Sequence, residues 1–328
     1  MSKPTGESNA MRTVIVIGLG TVAKTHLKAL ERIADIAVVA GVDTTPGKTA
    51  MFRDQEVPLY ASVRDATTQY DPSLVVITTP TPTHAAICND VFSCCPRAVI
   101  LVEKPAADNL ADVHQLLSGV SDRPPVHVAY HMAFSPEVVW AADLARTQFD
   151  NMGPPISISA TFADPYETEF SSAQKKFGSS WIDSGINALS VLNRFVEPIE
   201  RKSLRSLGPE SWSTFEGRIE CHTVEDDVEA LILTSWHVTA PTRTTRIRYT
   251  SGAELVMDHH AVAGYVLEQG TVSEFFGSDG RVPRRESHYR ALYDWLLVAG
   301  KPVMSAQRSL LLHNLLLRPE SATSDALP

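Results

Sequence analysis

From Thr13 to Tyr130 short β-branched apolar runs alternate with longer amphipathic stretches, the pattern of a parallel sheet flanked by helices. The runs TVIVI, IAVVAGV, LVVITT, AVILV and VHVAY, starting at Thr13, Ile36, Leu74, Ala98 and Val126, are apolar almost throughout, as strands covered on both faces are. Between them the spacing predicts helices over Val22–Ile33, Pro46–Asp54, His84–Phe92 and Leu110–Leu117. After about Pro136 the rhythm changes. A helix to Phe149 precedes the strand ISISATF, a helix from about Trp181 to Phe195, and longer strands VEALILTSW, TTRIRYT and AELVMDH with a turn at Thr250-Ser251-Gly252; these read as antiparallel. Helices over Glu286–Val298 and Ser305–Leu317 follow. The predicted class is α/β: an N-terminal doubly wound parallel sheet over residues 11–133, then a C-terminal α+β domain on a mostly antiparallel sheet over 134–318. Polar tails are expected at 1–10 and 319–328.

Composition narrows the function. The 328 residues leave room for about two domains at roughly 150 residues each. The net charge of −9 repels polyphosphates, so no nucleic-acid partner is expected. Cys88, Cys94, Cys95 and Cys221 fit no zinc spacing, and the adjacent Cys94 and Cys95 are poorly placed to bridge; a reducing cytoplasm is the expected location. His259-His260 and the other histidines show no ligand spacing, and no metal is expected. The first residues lack the apolar core of a signal peptide, and no apolar run approaches the ~18 residues of a membrane span.

The first strand runs into Gly18-Leu19-Gly20-Thr21-Val22-Ala23, a G-x-G-x-x-A turn that presents backbone N–H groups to a pyrophosphate. Gly18 permits the turn, Gly20 the close approach, and Ala23 the packing of helix on strand; the N–H groups of Thr21 and Val22 complete the cradle. Asp43 ends the second strand about 20 residues further on, where a carboxylate accepts from the adenosine ribose hydroxyls. The domain reads as a Rossmann fold with NAD favoured, while Thr44 and Lys48 leave NADP possible.

The strand AVILV ends in Glu103-Lys104-Pro105, and the preceding strand in Thr79-Pro80-Thr81-Pro82-Thr83-His84. With the glycine turn, these motifs resemble the glucose-fructose oxidoreductase, inositol dehydrogenase and rhizopine-catabolism (Gfo/Idh/MocA) family over about residues 12–317. The resemblance implies that Lys104 sits beside the nicotinamide and touches the reacting oxygen, and that Thr79, Pro80, His84 and Glu103 line the cofactor. It also implies a homodimer or homotetramer formed through the second sheet, which would serve both substrate binding and oligomerisation.

A second motif, Asp183-Ser184-Gly185-Ile186-Asn187, stands where the family carries D-x-G-x-H. Asn187 replaces the histidine, and Ser190 stands where a second Asp is common. A carboxamide holds a hydroxyl but cannot take its proton, so Asp183, or a neutral Lys104, is left as base. The string Ile182 to Ser190 is similar to that of aldose dehydrogenases acting on L-arabinose or D-galactose at C1. Tyr130-His131 and Trp236-His237 fit the same sugar pocket, His131 toward a ring hydroxyl and Trp236 against a sugar face. Residues 164–177, with Tyr166 as a further substrate contact, depart from that branch. The expected activity is NAD(P)-dependent hydride transfer with a sugar or polyol, foremost oxidation of an aldose at C1 to the lactone. The alternatives are a biosynthetic reductase of a keto-sugar, keto-inositol or imine, and a non-catalytic NAD(P)-binding sensor.

Overall fold

The computed structural model describes residues 11–45, 57–118, 123–166 and 170–319. The helix expected over Pro46–Asp54, the tail at 1–10 and all but the first residue of the tail at 319–328 lie outside the described residues.

Strands β1 (Arg12–Ile17), β2 (Ile36–Val42), β3 (Leu59–Tyr60), β4 (Leu74–Ile77), β5 (Val99–Val102) and β6 (Val126–Val128) form a parallel sheet in the order β3-β2-β1-β4-β5-β6. Helices α1 (Thr21–Leu30), α2 (Val63–Thr67), α3 (His84–Cys94) and α4 (Leu110–Leu117) lie between the strands in sequence. The central strands are covered on both sides: Val14, Ile15, Val16, Val75, Val76, Ile100 and Leu101 are fully buried. The order in which strands are added reverses at β1, with β2 and β3 on one side and β4, β5 and β6 on the other. A crevice therefore opens beyond the carboxyl ends of β1 and β4, the place where open α/β sheets take ligands.

Helices α5 (Pro136–Thr147) and α6 (Phe149–Met152) lead into β7 (Pro155–Ala163). The helices α7 (Phe170–Phe177) and α8 (Ile186–Leu192) follow, then β8 (Glu197–Ser206), β9 (Thr214–His222), β10 (Asp227–Ser235), β11 (Thr242–Tyr249), β12 (Glu254–Asp258), β13 (Ala263–Glu268) and β14 (Thr271–Gly277). Their order is β14-β13-β12-β11-β7-β10-β9-β8, antiparallel throughout except that β7 and β10 run parallel. Edge strand β8, EPIERKSLRS, lacks an apolar run; its charged residues suit an edge, where side chains stay wet. Exposed cross-strand pairs such as Arg218–Glu229 and Lys202–Glu220 give little stability each.

The helix expected over Trp181–Phe195 opens instead as a π-helical turn, Trp181–Gly185, before α8. Its anchor is Trp181. A Cβ at Gly217 would stand 2.5 Å from the indole Cη2, and one at Gly185 would stand 3.1 Å from Cδ2, so both glycines make room for the ring. Its Nε1 donates to Leu316 O at 3.0 Å. The helix expected over Glu286–Val298 likewise divides into α9 (Arg284–Tyr293) and a π-helical turn, Asp294–Val298, before α10 (Ala306–Leu317). Although late in the chain, α9 packs on α1 and α10 on α4, which brings the second half against the crevice. Among the described residues no helix is long and apolar enough to cross a membrane.

Candidate active site

Gly18 has φ +86°, and a Cβ there would lie 2.6 Å from Thr79 Cγ2 and 2.8 Å from Thr79 N; only glycine lets β1 turn this close to the end of β4. Thr78 Oγ1 donates to Gly18 O at 2.5 Å and ties the same two strand ends. Gly20 caps α1 without a side-chain hydrogen bond, the first turn holds no acidic residue, and among the described residues a Cβ on Gly20 would meet nothing within 4 Å. Thr21 at the start of α1 is exposed and Val22 half-buried, while Ala23 is buried against the sheet. Asp43 stands at the end of β2, its Oδ2 accepting from Leu19 N at 2.9 Å and its Oδ1 from Thr45 N at 2.8 Å. Each oxygen keeps a lone pair for a further donor.

Thr79 and Pro80 lie at the open end of β4, partly or fully exposed. His84 does not line this crevice, contrary to expectation. It is fully buried, with Nε2 2.9 Å from Thr79 O and Nδ1 3.1 Å from Pro105 O. It thus joins the two loops from behind, and burial lowers its pKa. Glu103 is also set back, at 8% exposure. Its Oε1 accepts from Tyr289 Oη at 2.5 Å and from His26 Nε2 at 2.8 Å, and its Oε2 from Lys104 N at 3.2 Å. Burial alone would raise this carboxyl, but His26, Tyr289 and Lys104 outweigh it and hold the pKa low. The Tyr293 hydroxyl, 2.5 Å from His26 Nδ1, closes the network. Beyond Lys104, whose peptide to Pro105 is cis, Ala106 N donates to His313 Nε2 at 2.9 Å. Helices α1, α9 and α10 thus all brace the short segment that carries Lys104.

Lys104 Nζ donates to Asp183 Oδ1 at 2.9 Å and to Asp183 O at 2.8 Å. The two side chains remain 12% and 13% exposed: sheltered, yet reachable. Asp183 lies in the π-helical turn pinned by Trp181. One turn on, Asn187 Nδ2 donates to Asp183 O at 3.3 Å, and the buried Asn187 Oδ1 has no partner among the described residues. Ser190 is buried and donates to Asn187 O at 2.7 Å, so this position adds support and no second acid.

His131 lies in the short turn His131–Phe134 after β6, with its ring stacked on His288 and tilted against Tyr289. Burial, then the neighbouring His288 and the charges of Lys104, Arg284 and Arg285, keeps His131 well below the usual imidazole range. Tyr166 stands close enough to Asp183 and Asp164 that, after burial, their charges help push its hydroxyl up to about 12. Trp236 is fully buried, packed edge-on to Tyr166 at 5.6 Å and beside Trp212 at 5.9 Å. With its faces covered by protein it offers no surface to a sugar, which corrects its expected role; it backs Tyr166 instead. Sequence reasoning missed His26, Tyr289, Tyr293 and His313, which carry no motif of their own. It also missed the Arg243–Asp164 ion pair, which lies within 3.5 Å of Ser184 through Asp164 Oδ2.

Residues 12–129 match the model of the Gfo/Idh/MocA family, described as an oxidoreductase family with an NAD-binding Rossmann fold. No curated protein matches the sequence. Among solved structures, GenD2 from gentamicin A biosynthesis, in complex with NAD, is similar at 18% identity and TM-score 0.76, over 96% of this chain and 95% of its own. A putative myo-inositol dehydrogenase from Sinorhizobium meliloti 1021 is similar at 18% identity and TM-score 0.73, over 93% and 95%. Myo-inositol 2-dehydrogenase from Lactobacillus plantarum is similar at 14% identity and TM-score 0.74, over 93% and 95%. At these identities the shared property is the fold.

Proposed function

We propose, on the premise that residues 12–129 belong to the NAD-binding Rossmann domain of the Gfo/Idh/MocA oxidoreductases, that this chain is a dehydrogenase of a sugar or polyol, and that it oxidises an aldose at C1 to the lactone. The observation that carries the reading is the 2.9 Å contact between Lys104 of one half and Asp183 of the other at the mouth of the crevice. The residues present fit the cofactor: the uncapped start of α1 and the open side of Gly20 suit a pyrophosphate, and Asp43 suits ribose hydroxyls. When bound, NAD supplies the hydride acceptor.

Lys104 then holds the reacting hydroxyl and stabilises negative charge growing on its oxygen. The proton leaves to the Lys104–Asp183 pair. Asn187 holds a neighbouring hydroxyl through its amide and takes no proton. An anomeric hydroxyl is more acidic than an ordinary secondary alcohol, so a site without the family's histidine suits C1 of an aldose better than a ring carbinol of an inositol. That chemical distinction favours the aldose reading over the inositols named for two of the similar structures.

The test is reduced-nicotinamide absorbance with NAD and matched panels of aldoses and inositols. Turnover of aldoses with release of lactone is expected; turnover confined to inositols overturns the C1 assignment. Lys104→Met should lower kcat by roughly 10³-fold, the scale of a lost proton-transfer or oxyanion group, with reduced-cofactor binding retained. Wild-type turnover in that variant overturns the role of Lys104.

A further inference from the structure

Four carboxylates of this region each have a basic partner. Asp183 holds Lys104, Asp164 holds Arg243, Glu137 holds His259 at 2.8 Å, and Glu286 holds Arg32 at 2.5 Å. The last pairing turns the only acid in the first turn of α9 away toward α1. Arg284 and Arg285 open the same helix, and neither forms an ion pair among the described residues. Arg284 Nη1 reaches only His259 O, at 3.4 Å, and Arg285 is exposed.

Two cations at a helix amino end oppose the helix dipole, and a local violation of this kind marks a site that serves something other than stability. One turn further along α9, His288 and Tyr289 contact His131, and Tyr289 reaches Glu103 beside Lys104. The arginines therefore sit one helical turn from the residues that back His131 and the Glu103–Lys104 segment. His288 is fully buried with Nε2 unpartnered among the described residues. Burial, then the like charges of Arg243 and Arg285, outweigh the nearby Asp164 and Glu137 and bring Arg284 down to about 10. Burial first, and then neighbouring histidines and cations that include Arg284 and Arg285, hold His131 and His288 well below the usual range.

We infer that Arg284 and Arg285 bind an oxyanion on the substrate, so that the enzyme acts on an acidic aldose, a hexuronate or an aldose phosphate, held by its anionic end while C1 meets Lys104. A planar carboxylate or a phosphate matches the guanidinium fork, and paired hydrogen bonds set the register of the sugar. The inference rests on the aldose reading above and gives it a substrate class.

The experiment compares D-galacturonate and D-galactose 6-phosphate with D-galactose in the wild type, in Arg285→Gln, and in Arg284→Gln/Arg285→Gln, with thermal shift of the NADH-loaded protein measured alongside. The expected result is a kcat/KM at least tenfold higher for one acidic sugar than for galactose. The double variant should collapse that ratio, mainly through KM, and Arg285→Lys should retain more of it than Arg285→Gln does. Whether uronate or phosphate is preferred identifies the source of the anion. If galactose is turned over with no acid preference, or the ratio survives the double variant, the anion inference fails and the dehydrogenase reading stands. If no sugar is turned over but an acidic one still raises Tm through the arginines, the reverse holds. Neither turnover nor an arginine-dependent shift removes both.

Discussion

The Tyr289 hydroxyl donates to Glu103 at 2.5 Å, joining the last third of the chain to the residue that precedes Lys104. Because Glu103 also accepts from His26 and from the Lys104 amide, helix α9 sets where the lysine stands. Tyr289→Phe leaves a buried carboxylate one donor short, at a cost of about 1–3 kcal/mol. Urea unfolding should show that loss, and kcat should fall more than KM rises. Unchanged stability and unchanged kcat together contradict the bracing role.

Asn187 stands one turn beyond Asp183 with an unpartnered oxygen. Asn187→Ala should lower kcat/KM by roughly tenfold, the scale of one neutral hydrogen bond. Asn187→His adds a base and should raise turnover of inositols relative to aldoses. Steady-state kinetics on both classes checks this, and an unmoved ratio contradicts the assignment of Asn187 as the residue that favours C1.

Acid should destabilise the fold through buried histidines. Burial brings His313 down to about 4, since its Nε2 accepts from Ala106 N while Nδ1 lies 2.7 Å from Ser309 O, a pattern only the neutral ring satisfies. In the unfolded chain the ring titrates near 6.5. Below that pH the unfolded state binds the additional proton, so stability is complete above about 6.5 and is lost as the pH falls toward 4. By pH 5 His313 alone accounts for about 2 kcal/mol. His131 and His288, lowered chiefly by burial, add in the same direction. Urea melts at pH 7.5 and pH 5 should differ accordingly, and His313→Gln should reduce the difference; an identical pH response in that variant contradicts the account.

Asp43 holds the glycine turn through Leu19 N, and in the proposed cofactor reading its carboxylate opposes a 2′-phosphate. NAD should exceed NADP in kcat/KM by at least about tenfold, and Asp43→Asn should narrow the gap by a similar factor. A preference for NADP in the wild type would contradict this role.

Short-range signals made much of the molecule legible. The parallel sheet, the Gly18–Ala23 turn, Asp43, the Glu103-Lys104-Pro105 end of β5 and the Asp183–Asn187 spacing each occupy a few consecutive residues. Their chemistry depends on local backbone geometry or on strand periodicity, which a linear chain displays. The contacts that assemble the site could not be read this way. His26 meets Glu103 and Tyr293, Lys104 meets Asp183, and Ala106 meets His313, all across tens to hundreds of residues. Hydrogen bonds at such separations leave no periodic trace. Burial decided the rest: a tryptophan after a strand and a histidine after a loop look alike in sequence whether they face a ligand or the core, and only packing put Trp236 and His84 behind the pocket. The sequence by itself therefore determined which chemical groups are present and which local elements carry them. Tertiary structure decided which groups meet, because that depends on how α9 and α10 fold back over the first sheet.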